Sequence, residues 1–203
     1  DVNNAFKDVF TLKNLSKNKQ IHSNIVNKVD KDNIGQIIDG DAIITNEKNV
    51  PLLILTADCV PVVLVDKVNK AVGLVHAGWR GTYGKICSET LQSMKENYNT
   101  NPEDVVAIIG PSIGKCCYEV SYDLVEKFSA LLPNADEKIY EIRDEKYYLD
   151  LWEINTQILK EFGVLKSNII NMNICTSCNC NRFFSYRKHD KTPKRIGTFI
   201  EIK

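Results

Sequence analysis

Cys59 and His76 are the two residues of this sequence whose types and placement most directly suggest chemistry. Cys59 closes the apolar run "VPLLILTADC" just ahead of Pro61, and His76 closes a later run, "KAVGLVHA". A thiol and an imidazole brought together by neighbouring strands form either a nucleophile and its base or two ligands of a metal ion. Two ordinary core residues would look the same, since cysteine is among the residues most often buried. After His76 come Gly78, Arg80 and Gly81. Glycine there permits a tight turn and a close approach of backbone to a ligand. The Arg80 guanidinium can hold a phosphate or carboxylate through two parallel hydrogen bonds. A plain strand-to-helix turn with Trp79 on the core accounts for the same residues. Even so, a strand end carrying His, Arg and Gly is where α/β architectures place their sites.

A metal site needs a third ligand, and the chain has only two other histidines, His22 and His189. His189 lies in "YRKHDK", among cations that would repel a metal ion. His22 lies in "QIHSN", where Ile21 and Ile25 are expected to anchor it. One Cys and two His with an open fourth position is a recognised catalytic zinc arrangement. The residues alone leave the dyad and the metal site both open.

The elements that must position these groups follow from hydrophobic pattern. "VPLLILTA", "VPVVLVD" and "KAVGLVHA" are Val-, Ile- and Leu-rich runs too short for typical helices, and read as buried strands of one sheet. "DAIITN", "VVAII" and "NIINMNI" read as further strands, and Asp1 to Asp39 as short strands and loops. Ile86, Leu91 and Met94 in "TYGKICSETLQSMKENY" fall near helical spacing. "SYDLVEKFSALL" reads as a helix capped by Ser121, and "KYYLDLWEINTQILKEFG" as a helix closed by Gly163. "RFFSYRKHDKTPKRIGTFIEI" reads as strand, basic loop and final strand. No repeat or linker divides the chain, so residues 1–203 are expected to form one α+β domain with mixed sheets.

Composition narrows the function classes. The 203 residues carry 26 Lys and Arg against 26 Asp and Glu, which gives no support for a nucleic-acid or anionic-membrane surface. No apolar run approaches the roughly 20 residues that span a bilayer. The N-terminus has no basic-then-apolar leader pattern, and its lack of an initial Met fits a trimmed chain. Seven cysteines, an odd number, favour reduced thiols and a cytoplasmic setting over a disulfide framework.

In this order, "QIHS", "GDAIIT", "TADCVPVVL", "VHAGWRGT", "IGPSIGKCCYEV" and "FFSYRK" resemble the laccase-domain, or peptidoglycan-editing-factor, family. The resemblance runs from about His22 to the C-terminus, and "TADC" with "HAGWRG" is its most specific part. It implies a four-layer α/β/β/α sandwich and a zinc held by His22, Cys59 and His76. It also implies a purine nucleoside phosphorylase acting on adenosine, inosine and methylthioadenosine, with adenosine deaminase activity. The expected partners are nucleoside and phosphate, and a monomer or weak homodimer is expected. Zinc-bound water, with its pKa lowered from about 15.7 to about 7, could attack C6 of adenosine. Phosphorolysis would need phosphate held against the ribose C1′, by Arg80 first and Arg187 second. Asp58 is the candidate general base or orienting partner. One departure from the family pattern is Ser23, where a Gly usually follows the first histidine.

Two alternatives accompany this reading: a Cys59–His76 hydrolase acting in peptidoglycan editing, and a copper-dependent polyphenol oxidase, the family's older description. Cys and two His can hold copper. Coupled oxygen reduction, however, needs a further histidine-rich copper cluster, and only one histidine would remain. "CTSCNC", with Cys175, Cys178 and Cys180, resembles half of a zinc knuckle. A Cys₄ site would need Cys116 or Cys117, which point apart if extended. A complete CxxC…CxxC pair is missing, and the family resemblance implies Cys and Thr here without metal. The segment therefore reads as a loop near the pocket, and "KHDKTPKR" as a solvated hairpin tip.

Overall fold

Alternating burial along the apolar runs builds a sheet covered on both faces. The computed structural model describes residues 10–135 and 138–203. In chain order these form β1 (Ser16–Lys17), β2 (Val26–Lys28), β3 (Ala42–Thr45), β4 (Leu52–Thr56), β5 (Val60–Asp66) and β6 (Ala71–Ala77). The helices α1 (Trp79–Tyr83) and α2 (Ile86–Tyr98) follow, then β7 (Val105–Ile109), β8 (Glu119–Val120) and α3 (Tyr122–Leu131). The chain ends with β9 (Tyr140–Arg143), β10 (Lys146–Leu149), α4 (Leu151–Phe162), β11 (Ile169–Asn171) and β12 (Ile196–Ile200).

A six-stranded mixed sheet in the order β11-β7-β5-β6-β3-β2 is the centre of the fold. Successive side chains on its strands point to opposite faces. Val60, Val62 and Leu64 of β5 and Ala71, Val75 and Ala77 of β6 face one way, onto Ile86, Leu91 and Met94 of α2 and Ile154 and Ile158 of α4. Val72 and Leu74 of β6 face the other way, onto Leu52 and Ile54 of β4. Strand β4 belongs to a separate three-stranded sheet, β1-β4-β12. Each fully buried Leu or Ile in these layers contributes about 1.5–3 kcal/mol. The single-domain α+β architecture with mixed sheets is as expected. Helices, large sheet and small sheet supply three layers of the expected sandwich among the described residues.

Three expectations change. The run "VPLLILTA" does not join its two successors in one sheet: β4 lies in the small sheet, β5 and β6 in the large one. The chain crosses between the two at Ala57–Cys59, and Asp58 takes a left-handed φ of 80° there. Cys59 therefore precedes β5 rather than closing β4. Next, "KYYL" is β10, paired antiparallel with β8 and β9, and the helix starts only after Asp150, whose side chain accepts from the Glu153 amide. Finally, "RFFSY" forms turns rather than a strand. Gly163 ends α4 at a φ of 113°, as read. Ser121 sits at the N-cap of α3, but without a side-chain capping bond. Asp1 to Val9, the start of the expected strand-and-loop segment, lies outside the described residues. Among the described residues no helix is long and apolar enough to cross a membrane.

Candidate metal centre and active site

The antiparallel pairing of β5 with β6 sets Val60 opposite Ala77 and Pro61 opposite His76. Cys59, the residue just before β5, is thereby delivered to the end of β6. Period two puts His76 on the same face as Val72 and Leu74, so its ring enters the seam between the two sheets. It is almost fully buried, at 3% exposure. His22 comes from the loop between β1 and β2 and meets His76 edge to face, with ring centroids 4.8 Å apart. The Cys59 Sγ lies 3.9 Å from His22 Nε2. One donor atom from each of His22, Cys59 and His76 lies within 4.8 Å of the others. The three predicted ligands are brought together.

Asp41, which the sequence reading passed over, organises this cluster. It is fully buried at the head of β3. Its Oδ1 is 2.7 Å from His76 Nδ1. A carboxylate can only accept, so Nδ1 carries the proton and Nε2 is left for the cluster. The same carboxylate accepts the backbone N–H groups of Ile21, His22 and Ser23 at 3.2, 3.0 and 2.6 Å. It also accepts the Ser23 hydroxyl at 2.7 Å. His22 is thus held at a positive φ of 60° by Asp41. The flanking isoleucines do not anchor it, since Ile21 and Ile25 are exposed. Ser23, the departure from the family pattern, adds a bond that Gly could not make.

The electrostatics follow from these contacts. Burial opposes the charge on Asp41, but hydrogen bonds from His76 and Ser23 and the charge of His76 hold its carboxyl well below the usual range. Burial likewise opposes ionisation of Cys59, yet hydrogen bonds to His22 and His76 and their charges bring its thiol down to about 6. Burial disfavours the charged form of His76, but Asp41 and Cys59 outweigh it and raise the imidazole to about 9. These shifts describe a thiolate beside an imidazolium held by a buried carboxylate. A cation bound here would take the place of the His76 Nε2 proton and keep the thiolate.

Two glycines make the close approach possible. A Cβ on Gly81 would lie 2.8 Å from the Ser23 carbonyl oxygen, and one on Gly78 would lie 3.0 Å from His22 Cδ2 and 3.3 Å from Cys59 Sγ. The expected close approach is real, but the partner is the His22 segment rather than a ligand.

The cluster opens into a cavity of about 630 Å³, a size typical of small-molecule sites. Arg80 lines it, with its guanidinium stacked 4.4 Å over Trp79, and so do Gln20, Tyr186 and Arg195. Arg195 comes from the run read as a solvated hairpin tip; its place in the cavity depends on the return of β12 and has no local signal. A smaller recess of about 130 Å³ adjoins at Cys59 and Tyr186 and is lined by Trp79, Ile113, Tyr118 and Leu151. Arg187 is on this second recess, 5.5 Å over the Tyr118 ring, with Nη1 donating to the Glu119 carbonyl. The two predicted phosphate-binding arginines therefore border different cavities.

Asp58 is beside Cys59 but its carboxylate is engaged elsewhere. Oδ1 accepts from the Thr176 hydroxyl at 2.6 Å, and Oδ2 from the Ser185 hydroxyl and the Arg187 amide at 3.1 and 2.6 Å. It ties the crossover to the 176–187 loop. His189 is exposed, and its Nδ1 accepts the Ser185 amide at 3.1 Å, away from the cluster.

Comparison with known proteins gives the family and the fold. Residues 3–203 match the family described as "Multi-copper polyphenol oxidoreductase laccase". The chain is 36% identical over 192 residues to the Bacillus subtilis protein named purine nucleoside phosphorylase YlmD, covering 91% of this chain and 69% of that one. It is also 36% identical over 195 residues to a purine nucleoside phosphorylase of Clostridium acetobutylicum, covering 96% and 79%. Its fold superposes on the crystal structure of YlmD from Geobacillus stearothermophilus with a TM-score of 0.93 and 33% identity, over 99% of this chain and 78% of that one.

Proposed function

This chain belongs to the multi-copper polyphenol oxidoreductase laccase family, and on that premise we propose that it is a zinc-dependent purine nucleoside phosphorylase. The proposed substrates are adenosine, inosine and methylthioadenosine with phosphate, and the proposed second activity is hydrolytic deamination of adenosine. The observation that carries this reading is the convergence of His22, Cys59 and His76, locked by Asp41, at a cavity that Arg80 lines. The donor set fits zinc: one thiolate and two imidazoles, with His76 turned by its Nδ1–Asp41 contact so that Nε2 faces the cluster, where zinc would take the place of its proton. Bound there, zinc would supply Lewis acidity and a lowered water pKa at its open position.

This chain's own residues supply binding and orientation. Arg80 and Arg195 present fixed positive charge to phosphate in the larger cavity. The smaller recess, walled by Trp79 and Tyr118 and shared with Tyr186, offers aromatic faces to a purine. In phosphorolysis a phosphate oxygen bonds to C1′ and the C1′–N9 bond breaks, its electron pair leaving with the base. The products are ribose-1-phosphate and purine. In deamination, water oxygen replaces the 6-amino group, which leaves as ammonia. Asp58, with its oxygens engaged by Thr176, Ser185 and Arg187, acts in this reading as a positioning residue.

The Asp41–His76–Cys59 row and the lowered Cys59 thiol favour a second reading, a cysteine hydrolase. Mass-spectrometric product analysis of adenosine, with metal-assayed protein and with or without phosphate, separates the two. Adenine plus ribose-1-phosphate supports phosphorolysis, and inosine supports deamination. Formation of neither refutes the proposal. Cys59→Ser is expected to lose zinc and activity together; a variant that keeps its zinc and traps an acyl intermediate identifies the hydrolase.

A further inference from the structure

On the far side of the smaller recess, four cysteines that the proposed reaction does not use come together. Cys116 and Cys117 lie in the turn after Gly114, and Cys175 and Cys178 in the turn after β11. The turn removes the alternation of an extended chain, so the adjacent Cys116 and Cys117 do not point apart as the sequence suggested. Both thiols reach Cys178, at 3.5 and 3.4 Å between sulfurs. All four sulfurs lie within 4.8 Å of one another.

That spacing has a specific meaning. Four thiolates at about 2.3 Å from one tetrahedral zinc stand about 3.8 Å apart. The two Cys178 separations, 3.5 and 3.4 Å, lie a few tenths of an ångström below that value and well beyond the roughly 2.05 Å of a disulfide, and all four sulfurs stay within 4.8 Å. Cys178 is also shared almost equally between Cys116 and Cys117, whereas a disulfide would single out one partner. The surroundings fit a thiolate cage. The Gly114 amide donates to Cys175 Sγ at 3.3 Å. Arg143 donates to the Cys116 and Lys115 carbonyls at 3.4 and 2.7 Å, which fixes the backbone of this turn. Soft sulfur donors in a tetrahedron select zinc over hard cations.

We propose that Cys116, Cys117, Cys175 and Cys178 form a second, structural zinc site. It staples the 110–118 loop to the 174–180 loop, which are also joined by the Ser112–Cys175 bridge. These loops carry Ile113 and Tyr118 of the smaller recess and Thr176, the partner of Asp58. The site is separate from the His22–Cys59–His76 cluster and stands or falls independently of it.

The test is metal content of the full-length protein purified under reducing conditions. Cys178 is exposed, so Cys178→Ser is expected to fold and to lose one zinc per chain relative to the parent. The His22→Ala, Cys59→Ser double variant, reconstituted with cobalt(II), is expected to keep one cobalt with intense thiolate-to-metal charge-transfer absorption. Adding Cys178→Ser to it should remove that absorption. Unchanged zinc in Cys178→Ser overturns the proposal, as does a peptide map showing Cys178 in a disulfide with Cys116 or Cys117 in the reduced preparation. A double variant with the same zinc content as the parent would refute the catalytic metal reading and leave the cysteine site standing.

Discussion

Asp41 Oδ1 and His76 Nδ1 stand 2.7 Å apart, both buried, and the same carboxylate fixes the backbone of His22 through three amides. One side chain therefore sets the orientation of two of the three candidate ligands. Asp41→Asn keeps the shape but removes the charge, and its NH₂ must face either the His76 proton or the backbone amides. The expected outcome is a zinc affinity about 10–100-fold weaker, read by competition with a chromophoric chelator. An unchanged affinity would sever Asp41 from the metal centre.

Gly81 and the Ser23 carbonyl test the same loop from the other side. A Cβ at Gly81 meets backbone at 2.8 Å, and neither partner is a flexible side chain that can turn away. Gly81→Ala should push the His22 loop outward and cost about 1–3 kcal/mol of stability, the usual range for overpacking. Zinc binding should fall with it. Gly78→Ala meets side chains instead, so it should shift His22 and Cys59 with a smaller loss in urea unfolding. Equal stability of the two variants would contradict this ranking.

Much of this site was legible before the fold was known, and the exceptions have physical causes. β5 and β6 are continuous apolar runs because both faces of the large sheet are covered, one by helices and one by β4. The same apolar character in β4 cannot reveal which sheet it joins, so the crossover at Asp58 was hidden. β10 was absorbed into α4 because "KYYL" abuts a helical pattern. The boundary signal was present in Asp150 and Glu153, a capping residue with an acid three positions on. His22, Cys59 and His76 carried motif signals, whereas Asp41 is a single acid at a strand head whose role exists only through long-range contacts. The sequence offers a four-cysteine site but argues against it, because Cys116 and Cys117 are adjacent rather than spaced as a second CxxC, and a turn is what makes both thiols converge.

Asp66 provides a prediction about acid stability. It is buried at the end of β5, and burial opposes its charge. Bonds from the Asn69 amide and side chain and from the Val68 amide outweigh this and hold its carboxyl below the ordinary value. A depressed folded-state pKa gives stability that is present above the unfolded pKa of about 3.9 and is lost as pH falls toward the folded value. Asp66→Ala should cost about 1–3 kcal/mol at neutral pH. The gap from the parent should narrow as the pH drops below about 4. Urea unfolding at both pH values checks this, and a gap that widens on acidification would contradict the assignment.

Asp58 and Thr176, 2.6 Å apart, distinguish positioning from proton transfer. If Asp58 works by holding the 176–187 loop, Asp58→Asn leaves at least one of its three donors without an acceptor in a buried site. The expected cost is about 1–3 kcal/mol. Arg187 and Tyr186 lose their fixed placement, so KM for nucleoside should rise more than kcat falls. The pH–rate profile should keep its shape, because no titrating catalytic group has been removed. Thr176→Val, which removes one donor and leaves the carboxylate in place, should reproduce the KM effect in weaker form. A kcat loss in Asp58→Asn with unchanged KM and a vanished limb of the pH profile would instead make Asp58 the general base.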